Sequence, residues 1–504
     1  MLDILQHLGL GFIHVFAPVN FLCLVVGLVL GLLVAVLPGL TLVMGVVLAL
    51  PFTYGLGITP AIVLLTAMYV SGTYGGAFTA ILFRIPGEPI DVPLLWDGYK
   101  MAQQGEAAKA LGYTLFAALL GGLVSATVMV LLAQPIAKLA LQISAPEYFA
   151  IIFFGLTSVV CLGTGSQTNA FISLLLGLFI SSVGVDGTYG VDRFSFGIPI
   201  LSDGIEYVTV MVGAYGLGEV LVRLEQGFTS PSVASVGKIS TRLPSLGELL
   251  RVKTTFLRSS VIGILVGVVP GAGATIASFV SYGVEGQYGR RRDKIGTGIP
   301  EGIVAPQTAA TSSVGGAMIP LITMGIPGSG ATAIILGAFL LHGMQPGPQV
   351  FFKSPEIVYA VFASMFVGLI GMCLIGYFFI KALVKVLDAP EAVVSVFVVM
   401  FCFIGALAGR NNVNDLWLIV AFGVLGWLFE KYNFPIAPLV LGSILGPLAE
   451  SNFMTTLISY QNDWTVFFKR PVSGVILVLS IIALVFPLIR TMWGRRGRAA
   501  ESTP

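Results

Sequence analysis

Gly263-Ile264-Leu265-Val266-Gly267-Val268-Val269-Pro270-Gly271 is an apolar run broken by a proline and a glycine. It lies in the segment Ser259 to Tyr282, which has a basic loop at each end. Arg223, Lys238, Arg242, Arg251, Lys253 and Arg258 precede the segment; Arg290, Arg291, Arg292 and Lys294 follow it. Basic loops stay on the cytoplasmic side of a membrane. One crossing cannot have both ends on one side. The segment therefore reads as a helical hairpin turning back at Pro270-Gly271-Ala272-Gly273, with a kinked spanning helix as the alternative. Proline breaks a helix because it lacks an N–H and clashes with the preceding turn. At membrane depth such backbone is tolerated only inside protein or against a water-filled cavity.

Working outward, the 504 residues are 56% hydrophobic and 10% charged, with a mean hydropathy of +0.96. Soluble proteins carry about 25% charged residues. A chain this poor in charge cannot cover its own surface, so lipid must solvate most of it. At about 20 residues per crossing, the length predicts an all-α polytopic membrane protein. Roughly 10–14 membrane segments are expected, including re-entrant and broken helices. The 62 glycines and 27 prolines suit close helix packing and frequent breaks. The net charge of +2, without a basic aromatic-rich patch, points to no nucleic acid. Cys23, Cys161, Cys373 and Cys402 sit in apolar runs without metal or redox spacing and read as packing residues. The N-terminus has no basic stretch and cleavage site of a signal peptide, so the first span is expected to insert the chain. Arg490, Arg495, Arg496 and Arg498 put the C-terminus on the cytoplasmic side.

The decisive run occurs twice. Gly31-Leu32-Leu33-Val34-Ala35-Val36-Leu37-Pro38-Gly39 is its first copy. Tyr74-Gly75-Gly76-Ala77 and Ile85-Pro86-Gly87 follow the first copy; Val314-Gly315-Gly316-Ala317 and Ile326-Pro327-Gly328 follow the second. The charged loops swap sides between copies. After the first Pro-Gly the loop Tyr54 to Thr59 carries no charge, whereas Arg290 to Arg292 follow the second. Two inverted-topology repeats require such a swap, and they place a binding site between broken helices near the midplane. The organisation expected is a first half, 1–222, a cytoplasmic linker, 223–258, and a second half, 259–504.

With Glu88-Pro89, Asp97-Gly98-Tyr99, Gly105-Glu106-Ala107 and Gly298-Ile299-Pro300-Glu301-Gly302, these landmarks resemble the large membrane subunit of the tripartite tricarboxylate transporters. The resemblance runs from about Gly27 to Ala449. It implies a secondary transporter of the bacterial inner membrane that imports an organic carboxylate by symport with a cation. The implied partners are a small four-helix membrane subunit, a periplasmic solute-binding protein, the small-molecule carboxylate and the lipid bilayer. A homo-oligomer is compatible with this picture. No cofactor is implied beyond the coupling cation, sodium or proton. The chain has no G-x-x-x-x-G-K-[ST] loop, in keeping with gradient drive rather than ATP. Two places depart from the family pattern. Gln307 to Ser313 stands where an acidic residue and an Asn-Asn pair are usual, and Arg84 where a small or amide residue is usual.

An anion at membrane depth needs positive potential, and the free N–H groups of a broken helix supply it. Gly39, Gly75, Gly76, Pro86, Gly87, Gly271, Gly273, Gly315, Gly316, Pro327 and Gly328 are therefore the backbone candidates for substrate. Thr79, Thr311, Ser312, Ser313 and Ser329 add hydroxyls. Arg84 is the sharpest single residue, since guanidinium grips carboxylate in a fork; snorkelling to the membrane edge, or pairing with Glu88 or Asp91, is its alternative. Thr41, Thr275 and Ser278 are candidates for a coupling ion, and Glu301 and Glu219 for a proton route. Against transport stand a passive anion channel and an intramembrane enzyme. The enzyme would need a Ser-His, an Asp pair or H-E-x-x-H at depth, which the sequence does not offer; His7, His14 and His342 have no metal spacing.

Overall fold

The computed structural model describes residues 2–37, 40–141, 143–162, 166–186, 189–227, 241–380, 382, 390–410 and 412–484. Most of them are helical; the strands among them are the short antiparallel pair Gly184–Val185 and Asp192–Arg193. Six helices are long and apolar enough to cross a bilayer, among them Pro18–Val36, Ile58–Phe83 and Pro355–Phe378. Shorter apolar helices accompany them, such as Leu42–Thr53 and Gly330–Leu341. Leu22, Leu131, Ile370 and Phe378 lie exposed on these helices. Such apolar surface would aggregate in water and is at home in lipid. The protein is thus an all-α polytopic membrane protein, as its composition predicts.

In chain order the helices are α1 (Leu2–Val15), α2 (Pro18–Val36), α3 (Leu42–Ala49), α4 (Ile58–Gly75), α5 (Ala77–Phe83), α6 (Val92–Met101) and α7 (Ala107–Ala140). Then come α8 (Ala145–Leu162), α9 (Gln167–Ser181), α10 (Pro199–Ser202), α11 (Tyr207–Met211) and α12 (Gly218–Gln226). The second half brings α13 (Leu246–Arg251), α14 (Lys253–Val268), α15 (Gly273–Tyr288), α16 (Pro300–Met324), α17 (Gly330–Leu341), α18 (Val350–Lys353) and α19 (Pro355–Phe378). Helices Glu391–Arg410, Asn414–Lys431 and Ile436–Ser459 follow.

Packing divides the chain into two compact units. One comprises Met1–Ala140 and Arg223–Asn411, the other Leu141–Val222 and Asn412–Pro504. The units cut across the sequence halves 1–222 and 259–504 rather than following them. The reason is visible in the first unit, where α7 of the first half packs along α16 of the second. Gly121 abuts Thr308 and Gly315 abuts Ser125 there, so a side chain on either glycine would push the helices apart.

Within the first unit the core helices are α4 and α16, both buried almost end to end. α2 lies along α4, and α14 lies along α16. Glycines make both approaches possible. Gly27 and Gly31 face the backbone at Leu64 and Met68; Gly263 and Gly267 face Ala309 and Ser313. Protein rather than lipid surrounds α16, which suits its polar run. Thr311 bonds back to the Gln307 carbonyl at 3.1 Å and Ser313 to that of Ala310 at 2.7 Å.

In the second unit α9 packs on Ile436–Ser459 through Gly177 and Gly442. Ion pairs fasten its ends. Arg193 forks the Glu450 carboxylate at 2.6 and 3.1 Å, and Arg470 meets Glu147 at 2.5 Å.

Candidate functional site

The site is built from two short loops of the same local design. α5 stops at Phe83, and Arg84 takes a left-handed conformation with φ 60°. The Ile85 N–H then returns to the Thr79 carbonyl at 3.3 Å. α16 stops at Met324, and Gly325 turns likewise with φ 70°; the Ile326 N–H returns to the Pro320 carbonyl at 3.2 Å. A left-handed residue with such a return bond is a common way to end a helix. Both loops then pass through Pro-Gly into a reciprocal N-cap: Glu88 with Asp91 in the first, Ser329 with Thr332 in the second.

Two close approaches fix these loops in place. A methyl on Gly87 would strike the Ala35 carbonyl and come within 2.5 Å of the Gly76 Cα. A methyl on Gly328 would lie 2.5 Å from the Gly267 carbonyl and 2.7 Å from the Ala317 Cα. Gly87 thus corresponds to Gly328, and Gly76 to Ala317. Gly75 faces Leu32 and Ala35, as Gly316 faces Ile264 and Gly267. The structural register differs by one residue from the Gly-Gly-Ala match of the sequence, which pairs Gly75 with Gly315. Contact with the preceding broken helix sets the register, and identical residue types at Gly75-Gly76 and Gly315-Gly316 disguise it.

The equivalent loops carry different chemistry. Glu88 is 8% exposed, and its carboxylate accepts the N–H of Leu42, the first residue of α3. Thr41 caps the same helix by accepting the Met44 N–H at 3.2 Å. Asp91, 1% exposed, accepts the Glu88 N–H at 3.0 Å. Its carboxylate fills the space that Gly76 leaves by lacking a side chain. In the second loop the Ser329 hydroxyl caps α17 through the Thr332 N–H at 3.3 Å and meets the Tyr69 hydroxyl at 3.0 Å. It does not cap α15. The residue before α15 is Ala272, whose side chain has no oxygen to offer. The Gly271 N–H bonds the Gly328 carbonyl at 3.2 Å, and Gly271 and Gly273 have φ 82° and 60°. The Ser329 Cβ lies beside Gly273.

The two assemblies interlock. Ser278 of α15 donates to the Ile90 carbonyl of the first loop at 2.8 Å. Val43 of α3 borders Gly330 at the start of α17. Gly76, Thr79, Gly87, Gly271, Gly273, Ser278, Gly328 and Ser329 all belong to this interlocked region, as do Pro86 and Pro327 within the loops. Thr79 spends its hydroxyl on the Gly76 carbonyl at 2.9 Å. Thr275 is half-buried in the first turn of α15. Gly39, with Pro38, lies outside the described residues.

Other sequence candidates fall elsewhere. Gly75, Gly315 and Gly316 serve helix packing. Thr311 and Ser313 bond within α16, and Ser312 reaches the Gly121 carbonyl of α7 at 3.0 Å. Arg84 is exposed, and its guanidinium lies 5.8 Å above the Tyr99 ring. Glu301 pairs with Arg291 at 3.3 Å. Sequence reasoning named Glu88 and Asp91 only as alternative partners of Arg84, not as part of the site, and passed over Tyr69. The first two carried a signal: acidic residues three apart around a proline, the pattern of a helix start.

Another buried carboxylate belongs to a structural latch. Asp97 is 0% exposed and accepts four bonds: from the Tyr282 hydroxyl at 2.8 Å and the N–H groups of Gly296 at 2.8 Å, Gly298 at 2.7 Å and Ile299 at 3.0 Å. It ties α6 to the loop that leads into α16.

These features define a polytopic membrane protein organised around paired helix breaks with polar groups buried at their tips. The chain belongs to the Tripartite tricarboxylate transporter TctA family, whose model matches residues 21–441. Membership makes it the large membrane subunit of a tripartite transporter, with a small membrane subunit and a periplasmic binding protein as the partners the family implies. An uncharacterized 52.8 kDa protein in the TAR-I ttuC' 3' region of Agrobacterium vitis is 33% identical over 498 residues, 99% of both chains. An uncharacterized protein in the TAR-II ttuC' 3' region of the same organism is 34% identical over 234 residues, 46% of this chain and 97% of that one. No solved structure matches.

Proposed function

We propose that this subunit imports an organic carboxylate across the bacterial inner membrane, driven by a cation gradient, with its C-terminus cytoplasmic. The observation that carries the reading is the unequal capping of two like breaks. In the first repeat a built-in carboxylate, Glu88, sits on the N-terminus of α3. In the second, the matching residue is Ser329, whose hydroxyl turns to Thr332 and Tyr69. The start of α15 is thereby left for a carboxylate from outside the chain. Helix N-termini favour anions through their free N–H groups and dipole. Gly273 and Thr275 would receive the substrate carboxylate, and the Ser329 and Tyr69 hydroxyls would orient it. Glu88 and Asp91 are the groups within this region able to take up a proton or a sodium ion; Thr41 and Ser278 contribute oxygens nearby.

Reconstitution in liposomes with the small subunit and the binding protein tests this. Labelled di- and tricarboxylates are offered with a sodium gradient, a proton gradient or none. Uptake above equilibrium that needs one gradient and the binding protein is expected. Equilibration that needs neither would make the protein a passive anion channel.

A further inference from the structure

We propose that the first unit holds one anionic phospholipid in a groove between α7, α13 and α14. The groove encloses about 380 Å³, room for one acyl chain, and its walls are apolar. Leu120 and Val124 of α7 form one side, Leu249 and Leu250 of α13 another, and Leu257 of α14 a third. Leu250 and Leu257 are 64% and 66% exposed, so the groove opens outward along its length. Six residues are too few for an independent helix in water. The Ser245 hydroxyl and backbone N–H bond Glu248 at 3.1 and 2.9 Å, which sets where α13 begins. That start aims the leucines of α13 at α14.

Charge selects the occupant. Lys253 lines the groove, and Arg251, at the end of α13, lies two residues before it. Neighbouring cations are already matched: Lys109 lies 3.5 Å from Glu106 and 3.7 Å from Glu248, and Arg258 pairs with Glu285. Among the described residues neither Lys253 nor Arg251 has a carboxylate within ion-pair distance. One unmatched cation in the wall of an apolar groove, with a second two residues away in sequence, complements one negative headgroup joined to an acyl chain. The groove also lies beside the basic loop that the positive-inside rule assigns to the cytoplasm. Basic clusters at that face gain about 1 kcal/mol per residue from anionic lipid. A zwitterionic lipid would fill the groove but leave both cations without a net counter-charge.

The full chain is purified in detergent and offered equimolar phosphatidylglycerol and phosphatidylcholine, and retained lipid is read by native mass spectrometry. The wild type should keep one phosphatidylglycerol, preferred roughly thirtyfold, as two such basic residues imply. Arg251→Gln with Lys253→Gln should bring the preference close to unity while a lipid is still retained. Leu250→Trp, which fills the groove from an exposed position, should expel both lipids. Melting temperatures of all variants should match the wild type, because the altered side chains are exposed. Equal retention of the two lipids by the wild type would overturn the proposal, as would a preference that survives loss of both charges. Release of the lipid when the small subunit is added would also overturn it, and would mark the groove as a subunit interface.

Discussion

Single carboxylates divide the labour in this protein. Asp97 is satisfied four times over by backbone and phenol, a structural role with no capacity to spare. Asp97→Asn would turn an amide NH₂ toward N–H donors, and hydrogen bonds to charged groups are worth about 1.5–3 kcal/mol each. Its melting temperature in detergent should fall by several degrees; an unchanged value would refute the latch. Glu88 sits at the interlocked breaks, where Gln can still accept from Leu42. Glu88→Gln should keep the fold and gradient-free substrate exchange, yet lose gradient-driven uptake by at least roughly tenfold, a little over 1 kcal/mol. Equal loss of both activities would assign Glu88 to folding or substrate binding instead. Sequence reading fastened on Arg84 because a charge near a membrane break stands out. The burial of Glu88 comes from its contact with Leu42, far away in the chain, and local residue types do not encode that contact.

Helix breaks are legible because Pro-Gly carries its own conformational consequences. α2 and α14 do end near Pro38 and Pro270, and both Ile-Pro-Gly segments do separate helices. Register and capping were harder to read. They depend on which backbone each loop touches, and glycines matched by type can be offset by one in space. The proposed substrate position makes a sharp prediction for this element. Ser329→Glu would give the second loop the carboxylate that the first already has, and it would compete for the N-terminus of α15. Uptake should fall by roughly tenfold or more while the protein stays folded, since a cap residue is worth about 1 kcal/mol. Ser329→Ala should do much less harm. Full uptake by a folded Ser329→Glu protein would exclude α15 from the site.

For the molecule as a whole, lipid as solvent and helix as the one structural class were plain from composition. The division into packing units was not, because helices choose partners by the fit of small residues, and that fit joins Gly121 of one half to Thr308 of the other. Whether the two sequence copies form inverted repeats is a question about sides of a membrane, so labelling is the way to reach it. Gly57 and Arg291 are both exposed. Single cysteines at the two positions should react with an impermeant maleimide from opposite faces of the membrane. Reaction from the same face would make the repeats parallel.

The clasp between the paired breaks has a mechanical corollary. Ser278 of one hairpin holds the Ile90 carbonyl of the opposite loop, while Val43 of the other hairpin bears on Gly330. Each tip is thus the hinge pin of its counterpart. Displacing either loop would disturb the seat of both breaks. A continuous leak would require both clasps to let go at once; under the gradient drive proposed above, parts that cannot move separately would guard the gradient.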